Sequence, residues 1–187
     1  MKTITASLVC LMVPGISNAA LILNSTGLTA PATTVTFSEI TLSGGTVVTD
    51  QFSGYGVEFG ALSPNDGLYY TSSEGSSGAG LQNYFPDTYN PFVISFDTTV
   101  SEAAFEMVTN GTTDTFTALL GGAIVETASI TTGGWRFYGF TGIMFDEIRV
   151  GIGGEIGTGN SRHMRMDNLQ IGAAAAEQLG VPKGGGA

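Results

Sequence analysis

Cysteine is nearly missing from this 187-residue chain: Cys10 stands alone against 28 glycines. Basic residues are scarce as well, six Lys and Arg against 16 Asp and Glu, and histidine and tryptophan occur once each. From Ala20 to Trp135 there are eleven acids and no Lys or Arg at all. Each scarcity excludes something. With Cys10 inside an N-terminal leader, the remaining chain can form no disulfide, thiolate metal site or cysteine nucleophile. A Ser–His–acid triad would have to use His163, in NSRHMRM, and no GxSxG elbow accompanies it. HExxH and CxxC are absent, which excludes a zinc site of ordinary composition. A formal net charge of −10 repels phosphate backbones and anionic lipid, so neither nucleic acid nor a membrane surface is an expected partner.

The chain opens MKTITASLVCLMVPGISNAALILN. Lys2 forms a short positive region, Ile4 to Val13 an apolar stretch, and Ser17-Asn18-Ala19 a small-x-small cleavage site. That is the layout of a secretory signal peptide, and its apolar run falls short of the ~20 residues a bilayer requires. The expected organisation is a signal peptide over 1–19, one β-sandwich domain over 20–172, and an Ala/Gly-rich tail over 173–187. The expected location is outside the cell, with no membrane insertion after cleavage.

Abundant Gly, Thr and Ser and scarce Lys disfavour long helices. Apolar residues fall instead in short alternating runs. Phe92, Ile94 and Phe96 form one such set; Phe116, Ala118 and Leu120 another; Ile148, Val150 and Ile152 a third. The pattern predicts strands over 34–42, 46–49, 56–61, 67–71, 92–96, 102–108, 114–120, 123–130, 135–140, 143–152 and 164–171. Eleven short strands with frequent turn signals point to an antiparallel two-sheet sandwich. Gly121-Gly122, between two β-rich runs, predicts a tight hairpin. Ser72 to Gly80 (SSEGSSGAG) reads as an exposed loop. Residues 173–180 (AAAAEQLG) are the one plausible helix, in the tail.

Two acids stand where strand parity points them inward: Glu39 shares the parity of Val35 and Phe37, and Asp167 that of Leu169 and Ile171. A carboxylate facing a core is costly unless paired, hydrogen-bonded or bound to a metal. Calcium takes six to eight oxygens from acidic, Gly/Asn-rich segments of this kind. If the first and last strands are neighbours, Glu39 and Asp167 could share one structural Ca²⁺. The plainer alternative is two separate acids bonded to backbone amides. For a carbohydrate ligand, the stacking candidates are Tyr69, Tyr70, Trp135 and Tyr138, with Trp135 open to a packing role as well. Paired carboxylates for glycoside hydrolysis remain a lesser alternative.

The segments VTFSEITLSGGTVVTDQFSGYGVEFG, NPFVISFDTTVSEAAFEM, TFTALLGGAIVET, FYGFTGIMFDEIRVGI and RMDNLQIG follow one another from Thr34 to Gly172. In this order they resemble bacterial PEP-CTERM domain-containing exported proteins. The resemblance implies a lectin-like jelly-roll sandwich similar to carbohydrate-binding modules. It also implies export from an exopolysaccharide-producing Gram-negative cell, and a calcium held by acids on the first and last strands. The family's sorting tail is not matched, because Val181-Pro182 continues as Lys183 and then Gly-Gly-Gly-Ala. The function expected from the sequence is therefore a secreted, non-enzymatic binding module for polysaccharide or biofilm matrix. Self-association into a structural matrix or filament is the alternative.

Overall fold

The structure is a computed structural model of the chain, and it describes residues 20–62, 67–83, 91–109, 111, 113–152 and 164–174. Residues 1–19, where a signal peptide is expected, His163, and the chain beyond Ala174 lie outside the described residues. Eleven strands account for the fold: β1 (Ala20–Asn24), β2 (Thr33–Val35), β3 (Val47–Val48), β4 (Val57–Ala61), β5 (Leu68–Thr71), β6 (Gly80–Gln82), β7 (Phe92–Val108), β8 (Thr113–Leu120), β9 (Ala123–Thr131), β10 (Arg136–Gly151) and β11 (Arg165–Ile171). Every strand pairing is antiparallel. Among the described residues no helix is long and apolar enough to cross a membrane.

The expected all-β, antiparallel sandwich of jelly-roll class is the fold observed, and two strands hold its layers together. β7 has 17 residues and β10 has 16, each predicted as two separate strands. The first part of β7 pairs with β4 and with the second part of β10 (Val93↔Arg149, Ile94↔Ile148). Its second part pairs with the first part of β10 (Ala103↔Phe140, Phe105↔Tyr138) and with β11. Between these parts the β10 register shifts twice, at Thr141/Phe145 and at Phe145/Glu147. The ring centroids of Phe92 and Phe105, both on β7, lie 6.4 Å apart. In a straight strand, thirteen residues would separate them by roughly 40 Å. Each long strand thus turns a corner and runs in both sheets, a common device in sandwiches.

One sheet has the order β3-β5-β6-β11-β7-β10-β1, with β2 beside β6 on the same flank of β11. The other has the order β4-β7-β10-β8-β9. Their inner faces supply one apolar core, with Phe92, Ile94, Phe116 and Ile148 from one sheet and Phe105, Met107, Tyr138 and Leu169 from the other. Edge and tilted ring contacts cross it, Phe105–Phe116 at 6.1 Å and Phe140–Phe145 at 6.2 Å. A smaller cluster of Ile22, Leu28, Ala104 and Phe137 lies apart from that core. The predicted hairpin is present: Gly121 and Gly122 take φ of +56° and +80°, which side-chain-bearing residues adopt only with strain.

The two ends of the sandwich differ. At one, β7 and β10 bend through residues 97–102 and 141–145, and the Phe96, Phe140 and Phe145 rings fill the corner. At the other, none of the described strands is shared, and the chain passes between the sheets in connections. Those from Ala61 to Leu68, Gln82 to Phe92, Val108 to Thr113, Thr131 to Arg136 and Gly151 to Arg165 all depart from this open end, as the registers Val108↔Arg165, Arg136↔Met107, Val150↔Phe92, Gly151↔Thr115 and Thr113↔Thr131 require.

Candidate ligand-binding end of the sandwich

Of the four aromatic stacking candidates, three are buried. Tyr69 and Tyr70 are 9% and 4% exposed, on a strand whose four residues are all buried. Tyr138 is 1% exposed and stacks on Phe116, with centroids 5.5 Å apart and planes 8° from parallel. These positions leave the three tyrosines without an open face for stacking. Tyr70 and Tyr138 face the core, and Tyr69 lies on the opposite side of a strand covered on both faces. Burial by desolvation raises the Tyr138 phenol pKa above its ordinary 10.0, opposed by a hydrogen bond with the Gly133 backbone and by the Arg136 charge. Trp135 alone keeps part of its surface open, and Arg136 beside it is exposed.

Trp135 stands on the β9–β10 connection, where it crosses the open end. The same connection carries part of a polar network that strand parity could have revealed. Asp114 shares the parity of Phe116 and Ala118, as Asp167 does of Leu169, and it is fully buried. Its Oδ2 accepts a hydrogen bond from the Thr132 hydroxyl, and the Thr132 and Thr109 hydroxyls bond to each other. The Thr109 backbone N–H donates to the Gly133 carbonyl at 2.9 Å. Thr109, Asp114 and Thr132 belong to three different elements, so the network ties the end of β7, the start of β8 and the exit from β9 together. Asn83 does the same on the neighbouring strands, its Oδ1 accepting from the Met164 backbone N–H at 3.0 Å. The edge of the open end thus holds buried, hydrogen-bonded Asp114, Thr109, Thr132 and Asn83, with half-buried Trp135 and exposed Arg136 on the connection that carries Thr132.

The two acids of the expected calcium clasp sit in separate hydrogen-bond sets. β2 ends at Val35, and Phe37 turns through a positive φ of +59°, so Glu39 is half-buried in an irregular segment rather than on a strand. Its Oε1 accepts from the Thr36 backbone N–H (2.7 Å) and hydroxyl (2.9 Å), while Oε2 is buried with no partner. Asp167 is fully buried, but not in the apolar core. The β11 register breaks between Asp167 and Gln170, and Asn168 takes a left-handed φ of +47°. This bulge resets the parity of the strand. Asp167 pairs with Glu106 and lies under the 72–80 loop, on the side opposite Met166.

Asp167 Oδ2 accepts from the Ser77 N–H (3.0 Å), the Ser77 hydroxyl (2.9 Å) and the Ser76 hydroxyl (3.0 Å), and Oδ1 accepts from the Asn168 N–H (2.7 Å). Asn168 Nδ2 donates to Glu106 Oε2 at 2.7 Å. Gly75 allows this close approach, since a Cβ there would stand 2.1 Å from the Ala79 carbonyl and 2.9 Å from Asp167 Oδ2. SSEGSSGAG is thus a loop strapped to the sheet by two carboxylates, Asp167 and Glu106, the latter accepting from the Ser76 hydroxyl at 2.5 Å, and by the Glu74–Arg165 ion pair at 3.2 Å. No group of three His, Cys, Asp or Glu side chains placed to hold a metal occurs among the described residues.

No protein-family model matches the chain, and no curated protein is similar to it. Among solved structures, one similar chain carries the CBM22-1 and GH10 modules of endo-1,4-β-D-xylanase 10B from Clostridium thermocellum, complexed with xylohexaose. The TM-score is 0.44 and the identity 12%, over 78% of this chain and 29% of that one.

Proposed function

We propose that this protein is a secreted, non-catalytic polysaccharide-binding module whose ligand sits at the open end of the sandwich. The observation that carries this reading is the half-open Trp135 beside exposed Arg136, on a connection tied to the neighbouring strands by the Asp114–Thr132–Thr109 network. An indole face packs against the C–H face of a sugar ring, and a guanidinium supplies donors to its hydroxyls. Asp114 and Asp167 are engaged as acceptors by hydroxyl and amide groups, which suits positioning rather than proton transfer. The signal-like N-terminus supports export.

The calcium part of the reading now rests on Glu39. Its buried, unpartnered Oε2 fits a cation, whereas both Asp167 oxygens already accept hydrogen bonds. Purified protein titrated against a panel of soluble polysaccharides, alongside Trp135→Ala and Arg136→Gln, tests the binding site. Binding by the wild type that both substitutions abolish, with unchanged melting, supports it. Failure to bind any glycan, or binding indifferent to Trp135, overturns it. A melting temperature lowered by chelator in the wild type but not in Glu39→Gln supports calcium, and an unchanged wild-type melt removes it.

A further inference from the structure

β9 is the outer strand of its sheet, and among the described residues it pairs with β8 alone. With nine residues it is the longest edge of the molecule; β1 and β4 have five each and β3 two. A free edge presents unpaired N–H and C=O groups, and proteins usually guard it with Lys, Pro, a bulge or a charge. Here the guards stop halfway. Register slips opposite Ala118/Leu119, where Val125 is the extra residue, and Glu126 supplies the strand's one charge. Beyond them Thr127-Ala128-Ser129-Ile130-Thr131 is uncharged, lacks proline and keeps a regular register with β8.

The side chains of this stretch are ordered in a particular way. Thr127, Ser129 and Thr131 point outward and are exposed, while Ala128 and Ile130 turn towards the core. The outward hydroxyls already pair, rung by rung, with those of β8: Thr131 with Thr113 at 3.4 Å, Ser129 with Thr115 at 3.0 Å, Thr127 with Thr117 at 3.5 Å. A second β9 placed antiparallel about a two-fold axis at Ser129 repeats the ladder. Ser129 faces Ser129, Thr127 faces Thr131, and on the core side Ala128 faces Ile130. Cross-strand hydroxyl pairs and an aliphatic pair are each favourable. The two Glu126 carboxylates lie at opposite ends of the paired segment, so this edge escapes the like-charge repulsion that an acidic chain would otherwise impose.

We propose that two copies of this chain associate edge to edge through residues 127–131 of β9, about a two-fold axis at Ser129, to make one sheet continuous across the dimer. The contact is isologous, so it closes at two copies rather than growing into a fibre. It is independent of the glycan-binding reading, because β9 lies on the flank of the sandwich and contributes none of the groups proposed to touch a sugar.

The test uses the full chain carrying Cys10→Ser, so that an introduced thiol is the only one. Residues facing each other across antiparallel strands have Cα atoms about 4.5–5.5 Å apart, within disulfide range. Ser129→Cys should therefore cross-link rapidly under mild oxidation, and Ile124→Cys only slowly, although Ile124 is 68% exposed. Sedimentation of the wild type should show a reversible monomer–dimer equilibrium that strengthens with added salt. Ser129→Lys should weaken it by roughly tenfold or more, since like charges then meet on the axis. A wild type that stays monomeric up to its solubility limit overturns the proposal. So does equal cross-linking through Ile124→Cys, or faster cross-linking through Thr127→Cys.

Discussion

The corner and the open end of this sandwich are built from the same strands and yet are opposite in chemistry. At the corner, β7 and β10 carry the backbone from sheet to sheet without a loop, and Phe96, Phe140 and Phe145 close the space between. At the open end the crossings are made by connections, and the edge of the core is finished with Asp114, Thr132, Thr109 and Asn83. Where the ladder shifts at the corner, neighbouring backbone supplies the partners, the Asp97 N–H donating to the Gly56 carbonyl and the Gly172 N–H to the Glu102 carbonyl. The open end must satisfy each buried polar group individually. The difference separates tasks: one end supplies stability through apolar area, and the other holds a few polar and aromatic groups in fixed positions.

Substitutions should expose this division. Phe145→Ala removes a ring at the corner and should cost about 3–5 kcal/mol in chemical denaturation. Glycan affinity of the folded fraction should stay unchanged, and a parallel loss of affinity would break the comparison. Asp114→Ala, at the open end, leaves the Thr132 hydroxyl without its carboxylate and should cost about 1–3 kcal/mol. Here glycan affinity should fall together with stability, because the Trp135 connection loses its support. Asp167→Ala should cost a similar amount, equally with calcium or with chelator, and should open the 72–80 loop to proteolysis.

Tyr138→Phe should cost about 1 kcal/mol, with a characteristic pH dependence. The folded-state phenol pKa is raised, so burial of neutral Tyr138 stabilises fully below pH 10 and less as pH rises above it. Melting curves across alkaline pH should lose that decline in the Phe variant. Trp135→Ala should have the smallest effect on stability, within about 1 kcal/mol, and the largest on glycan binding. A stability loss as large as that of Phe145→Ala would assign Trp135 to packing instead.

Much of this architecture could be read from residue order, and the departures share a cause. Alternation located β4, β5, β8 and β9, and Gly121-Gly122 located the hairpin between the last two. β7 and β10 each look like two strands in sequence because Asp97-Thr98-Thr99 and Thr141-Gly142 interrupt the apolar rhythm. The backbone nonetheless stays extended through them as it turns the corner. β6, Gly80–Gln82, is too short to show a period, and β1 reads as the end of a leader.

The site was less legible for a related reason. Parity arguments assume an unbroken strand, and the bulge at Asn168 sends Asp167 to the opposite face from the one predicted. Glu39 escapes the same logic because its strand ends at Val35. Asp114 is where parity does hold, because β8 runs unbroken from it through Phe116 and Ala118. Tyr69 and Tyr70 have no open face because β5 is covered on both sides, and Tyr138 has none because it stacks on Phe116 in the core.

The sharing of β7 and β10 by both sheets also bears on how the molecule comes apart. Neither sheet can shed its central strands without pulling them from the other, so the sandwich has no seam along which one layer could loosen first. Its unfolding should be a single concerted event, and the last amides to exchange with solvent should be those of 92–96 and 103–108 together. With a single cysteine the chain has no internal disulfide to hold it, and the shared strands give it instead a native state that opens completely or not at all.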